Sequence, residues 1–271
     1  MKVVIFCGGQ GLRMREASET LPKPMVPIGS RPVLWHVMKY YAHFGFTDFI
    51  LCLGYRAEAI KQFFLTYNEA LSNDFVLSDG GANIQLLKTD IQDWNITFVD
   101  TGLEACIGER LRAVRHLLRD EEMFLANYGD TLTDADLPAM IERVKETGAT
   151  ASFLAIRPNY SFHIVSMDDE GVVAGIHDVT QSNLWINGGY FVLRSELLDD
   201  LGPGEELVEE PFRRLLADEK LLAQRHDGFW APMDTLKDKQ QLESLHDSGR
   251  APWELWSVGR DDDGYLTRAA I

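Results

Sequence analysis

Apolar residues recur along the first half of the chain in two alternating rhythms. Lys2 to Cys7, Asp48 to Leu53, Asn95 to Val99, Met123 to Tyr128 and Thr150 to Ile156 are short, nearly continuous apolar runs. They read as strands buried on both faces, because they lack the strict alternation of a half-solvated strand. Between them apolar positions fall at helical spacing. Val33, His36, Val37 and Tyr40 do so within Pro32 to Phe44, which opens on a proline suited to a first helical turn. Glu58 to Tyr67, Gly108 to Leu118 and Leu137 to Glu146 read as further helices. This order predicts an α/β protein: a Rossmann-like, mainly parallel twisted sheet with helices on both faces.

The second half changes character. His163 to Met167, Val172 to Ile176 and Gly189 to Leu193 read as short strands among turn residues. A helix from Val208 to Asp218, a short strand and a last helix from Thr235 to His246 follow. No internal repeat or low-complexity linker interrupts the chain. The expected division is a nucleotide-binding α/β half (1–157), a smaller mixed α+β substrate-binding half (158–257) and an acidic tail (258–271) in which disorder is expected.

Composition narrows the partners. The formal net charge is -16, which opposes DNA or RNA as the main ligand. A nucleotide stays open, since a few cations in a cleft and a metal ion can hold a triphosphate. The acidic runs Glu196 to Glu210 and Asp261 to Asp263 read as solvated loops. Cys7, Cys52 and Cys106 form no CxxC pair, so neither a disulfide framework nor a zinc site is expected. Cys7 and Cys52 sit in apolar runs and read as buried small hydrophobes. The start of the chain has no signal-peptide pattern, and no apolar run approaches the roughly 20 residues of a membrane span. A cytoplasmic protein without a membrane partner is expected.

Candidate chemistry begins after the first strand. Gly8-Gly9-Gln10-Gly11-Leu12-Arg13 could bring backbone N–H groups against phosphate oxygens, with Arg13 forking onto them. It is neither a P-loop nor a dinucleotide fingerprint, and a plain tight turn remains the alternative. Pro22-Lys23-Pro24 holds a lysine between two restricted residues, as a defined phosphate contact would need. The segment from Gly8 to Lys23 would then be a mobile, positively charged flap. Asp130 follows the strand Met123 to Tyr128, at the end of a parallel strand where α/β ligands bind. A helix cap or turn role is its alternative, with Asp134 and Asp136 close by.

Taken together, GGxGxR followed by PKP resembles the sugar nucleotidyltransferases, most closely their bacterial glucose-1-phosphate cytidylyltransferase branch. Val33-Leu34-Trp35-His36-Val37-Met38-Lys39, Val99-Asp100-Thr101-Gly102, Tyr128-Gly129-Asp130, Ile186-Asn187-Gly188-Gly189, Gly228-Phe229-Trp230-Ala231-Pro232-Met233-Asp234-Thr235 and Ala251-Pro252-Trp253 carry the likeness. It runs from residue 1 to about 257. The resemblance implies a GT-A-like fold and transfer of CMP from CTP to a phosphorylated acceptor, with Asp130 and Asp234 holding Mg²⁺. It implies that Gly8, Gly9, Gly11, Arg13, Lys23, Thr101, Gly102 and Arg110 meet the nucleotide, although Arg110 could equally be a solvated helix residue. Tyr128, Asn187, Gly188 and Trp230 would face the acceptor. Catalysis would rest on Arg13, Lys23, Asp130 and Asp234, and a homo-oligomer is implied.

Three departures accompany the likeness. Leu12 replaces a threonine of the phosphate loop. The family's Glu-Lys-Pro segment, whose lysine meets the acceptor's phosphate, reads Asp178-Val179-Thr180, and a Phe-Gly pair reads Phe162-His163. His163 and His177 are candidate replacements for the lost cation, since imidazole titrates near neutrality, and Asp178 and His163 are candidate acceptor-binding residues. Plain strand roles are their alternative. An acceptor other than glucose 1-phosphate follows: a modified sugar, a cyclitol phosphate, or a non-sugar phosphate or phosphonate. A nucleotide-binding pseudo-enzyme is the reading from another class, opposed by the retained Arg13, Lys23, Asp130 and Asp234.

Overall fold

The computed structural model describes residues 1–9, 21–158, 162–260 and 266–268. Seven strands make the central sheet: β1 (Val3–Phe6), β2 (Asp48–Leu53), β3 (Asn95–Asp100), β4 (Met123–Asn127), β5 (Ala151–Ile156), β6 (Ile186–Arg194) and β7 (Leu221–His226). Their order is β7-β5-β6-β4-β1-β2-β3. β3, β2, β1 and β4 run parallel, as do β5 and β7, while β6 runs antiparallel to β5 and β4. The sheet is therefore mainly parallel, as the strand–helix alternation predicts. Two of its strands, β6 and β7, come from the second half of the chain.

Period-two burial explains the apolar runs. Val3 and Ile5 of β1, Phe49 and Leu51 of β2 and Leu125 of β4 enter one core layer. Val4 and Phe6, Ile50 and Cys52, and Phe124 and Ala126 enter the other. Helices α1 (Val33–His43), α2 (Ala57–Leu65), α4 (Leu137–Thr147) and α6 (Leu236–Asp247) cover the first face. Helices α3 (Ile107–Val114) and α5 (Glu210–Ala217) cover the second. Their boundaries follow local chemistry: the Asp136 carboxylate accepts from Ala139 N–H at 3.0 Å to start α4, and Gly148 ends it at φ 67°. Thr235 and Asp238 cap α6 reciprocally.

Three small ladders escape the periodicity argument. One is the hairpin of Phe75–Ser78 with Asn83–Leu86. Another is the two-residue pair Pro27–Ile28 with Arg31–Pro32. The third joins Thr131–Thr133 to Trp230–Pro232, and it matters most for the site. In the tail, residues 258–260 pair with 266–268 in antiparallel register. Among the described residues no helix is long and apolar enough to cross a membrane. Cys7 and Cys52 are buried and unpaired, as expected.

His36 of α1 supplies a test of the packing. Its ring is buried, its Nε2 faces the Ile28 carbonyl at 3.2 Å and its Nδ1 accepts from the Trp253 indole N–H at 3.3 Å. Burial pushes its pKa down to about 3. The unfolded chain takes up that proton near the ordinary value of about 6.5. Between the two values the unfolded state binds more protons, so stability falls as the pH drops below about 6.5. The slope from this one group is about 1.4 kcal/mol per pH unit. His36→Gln should therefore flatten the acid limb of a melting-temperature profile while leaving the slope above pH 7 unchanged.

Candidate active site

A cavity of about 670 Å³ opens at the carboxyl ends of β1 and β4. Its floor is the end of β1, where Gly8 and Gly9 leave the strand. Tyr55 N–H bonds the Gly8 carbonyl at 3.3 Å, fixing this turn against the end of β2. A Cβ on Gly8 would overlap the Arg110 guanidinium, so the glycine is what lets Arg110 lie across the strand end.

Arg110 is 3% exposed, which excludes the solvated-helix alternative. Its Nη1 donates to the Thr101 hydroxyl at 2.7 Å and to the Leu53 carbonyl at 3.2 Å, and Nη2 reaches the Leu103 carbonyl at 3.4 Å. All of these acceptors are neutral. A buried cation whose acceptors among the described residues are all neutral oxygens favours an anion in the adjoining space. Thr101 orients the group, since its own hydroxyl donates to the Leu53 carbonyl at 2.9 Å. Gly102 follows at φ 95°, its N–H on the Asp100 carboxylate at 3.1 Å. Thr101 supports Arg110, and neither Thr101 nor Gly102 lines the cavity.

The opposite wall carries the carboxylates. Gly129 takes φ 78° directly after β4, and this turn aims Asp130 into the cavity. The Thr131–Thr133 ladder with Trp230–Pro232, extended by Met233 N–H on the Asp130 carbonyl at 2.8 Å, brings Asp234 alongside. Lys23 enters from a single 3-10 turn, Lys23–Met25, flanked by the buried Pro22 and Pro24. Its ammonium lies 2.5 Å from Asp130 Oδ2 and also bonds Asp234 Oδ1. Burial works to lower the Lys23 pKa, but the two carboxylates outweigh it and the net shift is upward. Lys23 therefore stays charged throughout the neutral range.

The third side is aromatic and polar. Asn187 donates from Nδ2 to the Tyr128 hydroxyl at 2.9 Å and accepts Gly189 N–H at 2.9 Å. Trp230 donates from its indole nitrogen to the Gly188 carbonyl at 2.8 Å. Burial pushes the Tyr128 phenol up to about 12, and the Glu206 charge adds to the shift. Glu206 also lines the cavity, as do Cys106 and Ile107 at the start of α3. None of these three was singled out from sequence as a site residue; Glu206 lay hidden in an acidic run.

Gly8, Gly9, Lys23, Arg110, Tyr128, Asp130, Asn187, Trp230 and Asp234 thus converge on one space. Asp178 and His163 do not. They face each other across the hairpin His163–Met167 with Val173–Asp178, away from the cavity lining. The Asp178 carboxylate is taken by the Thr180 hydroxyl at 2.6 Å and N–H at 2.8 Å, which hold its pKa below the ordinary carboxylate value. Val179 is 7% exposed and off the cavity. Gly11 and Arg13 lie outside the described residues, as does Leu12.

Residues 2–238 match the nucleotidyl transferase family. The chain belongs to this family. Glucose-1-phosphate cytidylyltransferase of Salmonella typhi is 38% identical over 257 residues, covering 94% of this chain and 100% of that protein. D-glycero-alpha-D-manno-heptose 1-phosphate guanylyltransferase of Campylobacter jejuni is 26% identical, covering 80% of this chain and 89% of that one. Among solved structures, UDP-glucose pyrophosphorylase from Acinetobacter baumanii superposes with a TM-score of 0.66 at 18% identity. That match covers 92% of this chain and 95% of that one, and it bears on the fold alone. The protein is a nucleotidyltransferase, and its mainly parallel seven-stranded sheet is the family's.

The turn that places Asp130 can be probed directly. A Cβ at Gly129 would stand 3.0 Å from Ile5 Cγ2 and 3.1 Å from the Phe6 carbonyl, in a backbone conformation that side chains disfavour. Gly129→Ala should cost about 1–3 kcal/mol in a urea titration, and displace Asp130 enough to reduce turnover more than stability.

Proposed function

We propose that the protein transfers CMP from CTP to a sugar 1-phosphate or related phosphorylated acceptor, releasing pyrophosphate. The observation that carries this is the buried Arg110, held by neutral oxygens across the floor of a cavity whose facing wall presents Asp130, Asp234 and Lys23. Identity to glucose-1-phosphate cytidylyltransferase along 94% of the chain supports cytidine as the base. Residues 1–157 would hold the nucleotide, and 158–257 the acceptor.

Phosphoryl-type transfer depends on positioning and charge more than on a nucleophilic side chain. In this reading a phosphate oxygen of the acceptor attacks the α-phosphorus, the bond to the β-phosphate oxygen breaks, and pyrophosphate carries away the electron pair. Arg110 and the Gly8–Gly9 backbone bind triphosphate oxygens, and Thr101 holds Arg110 in place. Lys23 stabilises negative charge growing on the phosphate oxygens. Arg13 and Gly11 belong to the same proposal from sequence.

Members of this family generally use a divalent metal, and we propose Mg²⁺. Among the described residues no group of three or more His, Cys, Asp or Glu forms a ready-made metal cluster. Asp130 and Asp234 nevertheless converge on one cation, the Lys23 ammonium, so their oxygens face a common centre of positive charge. Two carboxylates completed by waters and substrate phosphates suit Mg²⁺. When bound, the ion would neutralise phosphate charge during transfer.

A second acceptor class is favoured by a specific observation. Val179, at the family's lysine position, is buried off the cavity, and Asp178 and His163 do not line it. This supports a cyclitol phosphate, a modified sugar phosphate or a phosphonate over glucose 1-phosphate. The exposed Phe75, Val76, Leu77 and Ile84 of one hairpin support a homo-oligomer. Pyrophosphate release across the four NTPs and dTTP, against sugar 1-phosphates, cyclitol phosphates and phosphonates, tests the reading. Turnover confined to CTP and lost in Asp130→Ala is expected; preference for another NTP would refute the cytidylyl assignment.

A further inference from the structure

Glu206 is a charged residue of the cavity wall that the transfer chemistry leaves unused. Its place is fixed by two bonds. Oε2 accepts Ile107 N–H at 3.2 Å, at the first residue of α3, and Oε1 accepts Leu207 N–H at 3.1 Å. Gly108 makes this approach possible, because a Cβ there would collide with the Glu205 carbonyl. Each carboxylate oxygen offers two lone-pair directions, so acceptor capacity remains after these bonds.

The surroundings decide what that capacity is for. Glu206 and Tyr128 line the same cavity. Tyr128 and Asn187 belong to the side proposed to face the acceptor, and Asn187 bonds the Tyr128 hydroxyl and Gly189 N–H. The cavity's described cations have their own partners: Lys23 bonds two aspartates, and Arg110 bonds Thr101 and the Leu53 carbonyl. The first turn of α3, which could otherwise draw an anion, is already taken by Glu206. A carboxylate here repels phosphate and attracts hydrogen-bond donors.

Resting on the transfer reaction proposed above, we infer that Glu206 is an acceptor-specificity residue, binding a hydroxyl or ammonium group of the acceptor at the end remote from its phosphate. Hydroxyl and ammonium share the donor chemistry and differ in charge. The acceptor therefore enters with its phosphate toward Lys23 and its donor group toward α3. This orientation needs no lysine at position 179.

Glu206→Gln tests this, because its remaining carbonyl oxygen can still cap Ile107. Steady-state kinetics should use a hexose 1-phosphate and an amino-hexose 1-phosphate, each with CTP and Mg²⁺. The KM for at least one acceptor should rise roughly 10- to 100-fold, with the KM for CTP within about twofold. A larger loss on the amino compound would identify an ammonium ligand; equal losses on both would identify a hydroxyl. Unchanged acceptor KM values would overturn the inference. So would a parallel rise in the KM for CTP with a lowered melting temperature, the signature of a purely structural cap. Calorimetric binding of both acceptors beside a non-hydrolysable CTP analogue gives the same ratio without turnover. Binding without turnover would count against the reaction alone and leave Glu206 to be judged by that ratio. Binding that Glu206→Gln leaves untouched would overturn this inference alone.

Discussion

Replacing Asp130 by asparagine should lower kcat by about 10²–10³, some 2.7–4 kcal/mol of transition-state stabilisation. Asparagine keeps the shape and one acceptor oxygen but removes the charge. Asp130 is the leading electrostatic contributor to the upward shift of Lys23, and its Oδ2 sits 2.5 Å from that ammonium. Without it, only Asp234 of the pair faces Lys23, and a divalent ion held as proposed by both aspartates would lose half of its carboxylate ligation. The KM for CTP should change less than kcat, because Arg110 and the Gly8–Gly9 backbone are untouched. Raising Mg²⁺ should recover part of the loss if metal affinity is what falls. Pyrophosphate release measured across a Mg²⁺ titration separates these contributions, and a variant within threefold of the unaltered enzyme would remove Asp130 from the mechanism.

The second large effect is expected at Lys23. Lys23→Met preserves length and apolar packing between Pro22 and Pro24 but removes the ammonium on which the two carboxylates converge. Both aspartates and the lysine are about one-fifth exposed, between a surface pair and a fully buried one. The cost without metal should accordingly be about 1–3 kcal/mol, below the 3–5 kcal/mol of a fully buried pair. Millimolar Mg²⁺ should restore much of the lost stability, and should stabilise the variant more than the unaltered chain. Turnover should stay depressed, since the ion does not replace the lysine beside the phosphates. Lys23 has a raised folded pKa, so its stabilising contribution is fully present below about 10.5 and is lost only at higher pH. The stability gap between the two proteins should therefore be constant from pH 6 to pH 9. Thermal melts with and without Mg²⁺ at both ends of that range check it.

The inner strands of the central sheet were legible because they are buried on both faces and announce themselves as unbroken apolar runs, whereas the edge strands β3 and β7 are partly exposed. The span from Asp48 to Leu53 coincides with β2, and Leu137 to Glu146 falls within one residue of α4. Three-residue strands carry no such rhythm. The ladder of Thr131–Thr133 with Trp230–Pro232 was invisible for that reason, yet it sets Asp234 beside Asp130. Arg110 looked like any helix-surface arginine, because nothing in its neighbourhood marks Gly8 as the residue beneath it. Glu206 vanished into a run of carboxylates whose members differ only in where the chain turns. Glu205 shows the contrast: its carboxylate pairs with Arg214 and is held down to about 2. The hairpin bearing His163 and Asp178 reads correctly as strands, but sequence could not show that these two residues stand outside the cavity lining.

The most direct test of the central claim is a phosphorus NMR time course of the protein with CTP, Mg²⁺ and a sugar 1-phosphate. Cleavage between the α- and β-phosphates predicts equal amounts of inorganic pyrophosphate and a CDP-linked diester, growing as CTP and the sugar phosphate decline together. Release of orthophosphate with CDP, or CTP persisting beside every acceptor tried, would contradict it.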